Sequence, residues 1–278
     1  QALLPEDVAD ADLVGITATS ALFGHAKEVL TTIRTWRPEL PVILGGAHAT
    51  VSTASALEAG FDFAILGEAE ITIAEFVENL SRGEHRNTRG IAFLDDTGAV
   101  HKTPESPLVE DLDTLPFPAR DLYDYDAFKA AGGWEMGIMS SRGCPFPCTF
   151  CSATLRQTYG RKFRGHSAER VVDDMLRLHL DHGVDAFYTI DDVFSLDRQR
   201  VVDICHGLIK HNHRIHWTIQ TRGDLIDLDL LKLMARAGCV GVKMGIESGV
   251  DRILKIIRKN ATRDDLLEAA RNCQEAGL

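Results

Sequence analysis

The sequence has no apolar segment close to the roughly 20 residues that a membrane-spanning helix needs. Its first residues show no basic n-region and no cleavage site, so we expect no secretory signal. It also has no excess of positive charge, because 30 Lys and Arg stand against 41 Asp and Glu, a formal net charge of −11. An acidic chain repels phosphate backbones. We therefore expect neither a membrane span nor a nucleic-acid partner.

Cysteine is absent from the first half of the chain, and all six cysteines lie beyond residue 143. Without an export signal, clustered thiols hold metal more often than they form disulfides. Hydrophobic residues at 45% and charged residues at 26% are ordinary for a globular protein and exclude disorder, collagen and coiled coil. The length of 278 residues suits two domains. The sequence predicts a soluble cytoplasmic protein.

The chain reads as two series of alternating strands and helices, separated by a proline-rich linker at residues 104–134. The first series, residues 1–103, has strands near 13–17, 41–46 and 63–67, helices near 25–36, 51–59 and 70–83, and a hairpin at 91–103. The second, residues 135–278, has strands near 136–142, 186–190, 215–220 and 241–246. Such alternation predicts parallel sheets covered by helices. Both chain ends fall where further strands are expected, so we expect both domains to be truncated.

Three cysteines, Cys144, Cys148 and Cys151, form a C-x3-C-x2-C loop directly after the first strand of the second series. We expect their sulfurs to face a common point. A structural zinc site needs four ligands, and the next cysteine, Cys205, lies in a predicted helix. Four-iron clusters are held by Cys thiolates, and three thiolates leave one iron open to an external ligand. The spacing therefore predicts an iron–sulfur site.

This loop, with Phe150 before its last cysteine, resembles the radical S-adenosylmethionine (SAM) superfamily. The strings YGRKFRGHS and FYTIDDVF further along are similar to the branch with an N-terminal cobalamin-binding domain. The resemblance implies a doubly wound, Rossmann-like cobalamin domain followed by a partial (β/α) TIM barrel. It also implies a [4Fe–4S] cluster that cleaves bound SAM reductively to a 5′-deoxyadenosyl radical.

The resemblance also assigns the remaining strand ends of the second series to SAM. Asp191 and Asp192 are placed at the SAM ammonium, although this chain has DD where the family commonly has GGE. Gln220 and Arg222 end the next strand, where a guanidinium suits the methionyl carboxylate. Glu247 ends the last strand, where a carboxylate can accept the ribose hydroxyls. Loop caps and surface ion pairs are the alternative roles for each of these residues.

In the first series, the residues that resemble a cobalamin site are Ser20 and Leu22 after the first strand and Gly45 and Gly46 after the second. Glycines there let a bulky ligand approach the backbone. His25 and His48 are interpreted as surface or capping histidines rather than cobalt ligands. The three later cysteines recur one βα unit apart and are interpreted as buried core thiols; they are Cys205, Cys239 and Cys273.

The family resemblance leaves several reactions open. The first is methyl transfer to an unactivated carbon of a small molecule, with an electron donor such as flavodoxin or ferredoxin. The second is an oxidoreductase of the anaerobic magnesium-protoporphyrin ester cyclase type. A tRNA methylthiotransferase is disfavoured, because that type usually carries a second cluster in its N-terminal domain and a basic RNA-binding module. Residues 1–143 contain no cysteine, and the net charge is −11. A non-enzymatic cobalamin sensor or metal scaffold is disfavoured by the cysteine loop.

Overall fold

A computed structural model describes residues 3–151 and 153–278 of the chain. Short apolar strands alternate with helices in both halves of it. The strands are β1 (Val14–Thr17), β2 (Val42–Gly45), β3 (Phe63–Ile65), β4 (Ile91–Leu94), β5 (Val100–Lys102), β6 (Met136–Ile138), β7 (Ser141–Arg142), β8 (Arg164–Gly165), β9 (Ala186–Thr189), β10 (His216–Thr221) and β11 (Cys239–Met244). The helices are α1 (Phe23–Trp36), α2 (Gly46–Val51), α3 (Thr53–Glu58), α4 (Glu70–Ser81), α5 (Tyr125–Ala130), α6 (Ala153–Tyr159), α7 (Ala168–His182), α8 (Arg198–His211), α9 (Leu228–Arg236), α10 (Asp251–Ile256) and α11 (Arg263–Glu275).

The chain divides into two units. Unit 1 contains the N-terminal residues up to Val109 and a short segment ending at Gly160, and unit 2 contains Glu110–Cys151 and Arg161–Leu278. Both units are built on parallel strands with helices between them, as the sequence predicted.

Unit 1 is a five-stranded sheet in the order β1-β2-β3-β4-β5, in which β1, β2 and β3 are parallel. Strands β4 and β5 form the predicted antiparallel hairpin. Successive side chains of a strand point to opposite faces. Accordingly Val42 and Leu44 join the core beneath α1, whereas Ile43 joins a second core with Phe63 and Phe76. The sheet is therefore covered on both faces.

Unit 2 contains a four-stranded parallel sheet in the order β11-β10-β9-β6. Within this sheet, neighbouring strands follow one another along the chain, which is the strand order of a (β/α) barrel. Strands β7 and β8 form a separate pair. Its core surrounds Trp217, whose indole N–H donates to the carbonyl of Ala237 at 2.9 Å. In the described part of the chain, β11 has β10 as its neighbour and forms one edge of this sheet.

Several short elements differ from the sequence-based expectation. One helix was predicted at 51–59, but the chain forms α2 and α3, with Gly46 already inside α2. Helices α5 and α10 have six residues each and were not predicted. Fewer than two turns is too short to show a 3.6-residue hydrophobic period. Within the described residues, no helix has both the length and the apolar character needed to cross a bilayer.

Candidate active site

In unit 2, the predicted site residues lie at or after the carboxyl ends of β6, β9, β10 and β11. Since these strands are parallel, all four ends open on the same edge of the sheet, where ligands bind in such folds. The cysteine loop follows the short β7, which pairs with β8. The tertiary structure therefore gathers segments that are up to about 100 residues apart in the sequence.

The three loop cysteines are neighbours with different exposure. Cys148 is buried, whereas Cys144 and Cys151 are half-buried, and none is in a disulfide. Burial raises the pKa of the Cys144 thiol, and the charges of Asp192, Cys151 and Cys148 raise it further. The expected convergence of sulfurs on one point is not confirmed, because among the described residues no three Cys, His, Asp or Glu side chains form a ready-made metal site.

Arg222 packs against this loop from the end of β10. Its guanidinium lies 3.8 Å from the ring of Phe146, and one terminal N–H donates to Sγ of Cys148 at 3.6 Å. Its other edge donates two hydrogen bonds to the Asp224 carboxylate, at 3.0 and 2.8 Å. A further N–H donates to the carbonyl of Lys259 at 2.5 Å. Arg222 thus has different partners from the SAM carboxylate expected for it.

Asp191 is held inside the protein rather than presented to a ligand. It is 2% exposed, and its carboxylate accepts hydrogen bonds from the backbone N–H and the hydroxyl of both Ser140 and Ser141. Burial raises the pKa of Asp191, against these donors and the charge of Arg200. Arg200 in turn donates to the carbonyl of Ser140 at 2.5 Å. Asp191 therefore fixes the segment that leads from β6 to the cysteine loop.

Asp192 stands in a different environment from its neighbour. It is half-buried, and Gly143 donates a backbone hydrogen bond to it, which places it beside the cysteine loop. Its Oδ2 is buried and has no hydrogen-bond partner among the described residues. Burial and the charge of Asp191 raise the pKa of Asp192. A buried acceptor without a donor is costly, so Oδ2 is suited to a cationic ligand.

Glu247 lies at the end of β11 with a left-handed backbone, φ 62°. Its carboxylate is 3.4 Å from Nζ of Lys259, a buried lysine that also lies 5.8 Å from the ring of Phe150. Lysine is almost never fully buried without a partner. Lys259 was missed because nothing in the local sequence distinguishes it from the basic residues around it.

Gln220 is exposed on β10.

In unit 1, the ends of β1 and β2 are held together around Ser20. His48 is buried, which rules out the surface role among the two roles expected for it, surface or capping. Its ring stacks on Phe23 with the centroids 3.8 Å apart. Its Nδ1 is 3.0 Å from the Ser20 hydroxyl, and its Nε2 has no partner in the described part of the chain. Burial lowers the pKa of His48. Ser20 and Leu22 are both exposed, while His25 is a surface residue as expected.

The fold requires glycine at only one of the two glycine positions at the end of β2. Gly46 has φ +84°, and a Cβ there would come within 2.6 Å of the Thr17 hydroxyl, so the fold itself requires glycine. Gly45 has an ordinary extended backbone, φ −116°. A Cβ on Gly45 would meet only the carbonyl of Ile16, at 4.0 Å. The fold leaves space for a Cβ at Gly45.

Unit 1 also contains a cavity of about 700 Å³ at the carboxyl side of β3. Its lining includes charged residues of both signs, Glu68, Lys102 and Arg156, together with the neutral Thr50 and Gly67. None of the four glycine and Ser-x-Leu positions predicted for cobalamin lines it. This volume is within the usual range for small-molecule sites. The cavity makes the carboxyl side of β3 a candidate ligand site in this unit.

The three later cysteines lie in the core of unit 2, as the sequence analysis predicted. Burial raises the pKa of both Cys205 and Cys239 to about 12. Since the thiolate is the reactive form and both thiols are buried, iodoacetamide at pH 8 should leave Cys205 and Cys239 of the native apoprotein unlabelled until denaturant is added. The half-buried Cys151 is accessible to the reagent and serves as the labelling control. Peptide mass spectrometry measures this. Rapid native labelling of Cys205 would contradict the core assignment.

Comparison with known proteins agrees with the order of the two units. The B12 binding domain model matches residues 6–77, and the Radical SAM superfamily model matches residues 138–278. A solved structure of the cobalamin-dependent SAM radical enzyme OxsB, with aqua-cobalamin and SAM bound, superposes with a TM-score of 0.83 at 23% identity. That alignment covers 96% of this chain and 40% of OxsB, and it supports the fold.

Two curated relatives align along nearly the whole chain. The uncharacterised methyltransferase PH0819 of Pyrococcus horikoshii is 35% identical over 97% of this chain and 59% of its own length. The anaerobic magnesium-protoporphyrin IX monomethyl ester cyclase of Rubrivivax gelatinosus is 28% identical over 96% of this chain and 49% of its own length. The chain thus spans between half and three-fifths of these relatives.

Proposed function

The chain belongs to the radical SAM superfamily and carries a B12-binding domain ahead of its radical SAM domain, and we propose that it is a cobalamin-dependent methyltransferase. The proposed reaction is methyl transfer to an unactivated carbon of a small molecule. The order of the two matched domains carries this proposal, because it pairs a methyl carrier with a radical generator. The 35% identity to a methyltransferase supports it.

The donor chemistry of the cysteine loop fits a [4Fe–4S] cluster, the resident metal centre of this superfamily. Cys144, Cys148 and Cys151 offer three soft sulfur ligands in one loop, which leaves one iron for SAM. Burial of Cys144 and the nearby charge of Asp192 raise the pKa of this thiol and disfavour its thiolate in the metal-free protein. Metal binding and thiol deprotonation are therefore coupled in this loop.

The SAM site is proposed on the same rim. The unpartnered Oδ2 of Asp192 suits the SAM ammonium, and Glu247 suits the ribose hydroxyls. Lys259 is the cation that holds the Glu247 carboxylate, and Phe150 offers a half-exposed ring beside it. When bound, the cluster supplies the electron that cleaves SAM, and cobalamin carries the methyl group. The residues of this chain orient the SAM and exclude water from it.

The cobalamin proposal for unit 1 can be tested at Gly45 and Gly46. Because a Cβ at Gly45 would meet no atom closer than the carbonyl of Ile16 at 4.0 Å, Gly45→Leu should lower the melting temperature less than Gly46→Ala but weaken hydroxocobalamin binding by about tenfold or more. Gly46→Ala is the matched control and should lower stability by about 1–3 kcal/mol through backbone strain. Isothermal titration and thermal melts measure both effects. Unchanged cobalamin affinity in Gly45→Leu would remove Gly45 from the site.

The reaction class is tested by anaerobic reconstitution with iron, sulfide and hydroxocobalamin, followed by addition of SAM and dithionite. Methyl transfer through cobalamin predicts both 5′-deoxyadenosine and S-adenosylhomocysteine by mass spectrometry, the second only when cobalamin is present. Release of 5′-deoxyadenosine alone would favour the cyclase reaction, which the 28% identity to the magnesium-protoporphyrin cyclase keeps as the second candidate. If neither product is detected, the protein is a cobalamin sensor or a metal scaffold rather than an enzyme.

Further partners follow from the proposed chemistry. One-electron reduction of a cluster requires a low-potential donor, and we propose a flavodoxin or a ferredoxin. The substrate is proposed to be a small molecule. The absence of a disulfide among the six cysteines supports a reducing compartment, for which we propose the cytoplasm.

A further inference from the structure

The guanidinium of Arg222 has almost no hydrogen-bonding capacity left for a ligand. Arginine carries five N–H donors in a fixed fork. Two go to the Asp224 carboxylate, one to the carbonyl of Lys259 and one to Sγ of Cys148. Arg222 is 5% exposed, and Phe146 covers one face of the guanidinium plane. Both edges that bind a carboxylate in bidentate fashion are therefore occupied by the protein.

The contact with Cys148 joins a permanent cation to a cluster ligand. Cys148 is the most buried of the three loop cysteines, 7% exposed, so water screens its sulfur little. Hydrogen bonds to the ligating sulfurs are among the factors that set the reduction potential of an iron–sulfur cluster. A donor with positive charge stabilises the added electron, because charge-assisted hydrogen bonds are stronger than neutral ones.

The loop between α10 and α11 braces this contact. The N–H of Thr149 donates to the carbonyl of Ile257 at 2.9 Å, and the carbonyl of Lys259 accepts from Arg222. Arg258 and Asn260, on either side of Lys259, have left-handed backbones with φ of 53° and 55°. Non-glycine residues rarely adopt this conformation, and where they do the surrounding structure imposes it. The loop therefore turns its carbonyls toward the cysteine loop and Arg222.

We propose that Arg222 is a positioning residue that seats Cys148 and raises the reduction potential of the cluster, with Asp224 setting how much of its charge the cluster experiences. The proposal assigns no contact between Arg222 and SAM. It concerns the resident cluster of the superfamily rather than the proposed methyl transfer, so it can be tested without knowing the substrate.

The test compares two variants with opposite expected effects. Arg222→Gln removes the charge, so the midpoint potential of the reconstituted cluster should become more negative. We expect about a tenfold change in the reduced-to-oxidised ratio at fixed potential, equivalent to about 59 mV for one electron. Asp224→Asn removes the neutralising partner, so the potential should become less negative. Both potentials are measured by anaerobic dithionite titration followed by EPR, with iron content and melting temperature recorded for each variant.

Opposite shifts support the proposal, since mere loosening of the fold would not give opposite signs. If Arg222→Gln fails to assemble a cluster, a less negative potential in Asp224→Asn alone still supports it. Unchanged potentials, or shifts of the same sign, would overturn it. An unchanged potential together with about tenfold weaker SAM binding in Arg222→Gln would also overturn it and would restore Arg222 to the SAM carboxylate.

Discussion

Replacing Cys148 with alanine should abolish the brown chromophore of the reconstituted protein and all cleavage of SAM. A four-iron cluster in this chain has three thiolate ligands to draw on in the loop, and the superfamily leaves the fourth iron to SAM. Loss of one ligand therefore leaves two iron sites without protein sulfur. The effect is measured by the visible absorbance of the iron–sulfur cluster, by the iron content and by the formation of 5′-deoxyadenosine. Cys144→Ala and Cys151→Ala should behave in the same way.

Cys205→Ala is the matched control for this experiment. Cys205 lies fully buried in the core of unit 2, away from the cysteine loop in the sequence. Its replacement should retain iron and SAM cleavage while lowering the free energy of unfolding by about 1–2 kcal/mol through a small cavity. An intact four-iron spectrum in Cys148→Ala would show that the ligand assignment is wrong.

Replacing Asp191 with alanine should destabilise unit 2 by about 3–5 kcal/mol. The substitution leaves four donors of Ser140 and Ser141 without their acceptor. It also removes the negative charge that offsets the buried cation Arg200. Removal of one member of a buried, hydrogen-bonded charge network typically has a cost of this size. Thermal and urea unfolding, read by circular dichroism, measure the loss.

The adjacent Asp192 provides a contrasting variant. Its Oδ2 has no partner among the described residues, so Asp192→Asn should leave the free energy of unfolding within about 1 kcal/mol of the unchanged protein. The same variant should weaken SAM binding, which isothermal titration on the reconstituted protein detects. If Asp192→Asn unfolds the chain and Asp191→Ala does not, the two carboxylates have been assigned the wrong way round.

This separation of two adjacent aspartates is a result of the tertiary structure. The sequence alone treats them as equivalent members of a DD pair at a strand end. Both residues follow β9, and the chain bends at Asp192, so the two carboxylates enter different surroundings. Asp191 is the inward one because Ser140 and Ser141, about 50 residues earlier, supply its donors.

The linear pattern by itself determined the fold class, the hairpin at 91–103 and the core position of the late cysteines, and it predicted the cysteine loop as an iron–sulfur site. These features depend on short-range properties, namely strand and helix periodicity and the spacing of three thiols within eight residues. Such properties depend on residues close together in the chain, so they can be recognised from the sequence.

The tertiary structure decided which polar residues face the site and which support it. Arg222 meets Asp224 two residues away, but it also meets Cys148 and Lys259, which are 74 and 37 residues distant in the sequence. His48 reaches Ser20 across 28 residues. Contacts of this kind depend on how strands are ordered in the sheet and on how burial strengthens a hydrogen bond. Neither is encoded in any local pattern, so Lys259, Asp224 and the inward turn of Asp191 emerge only in the folded chain.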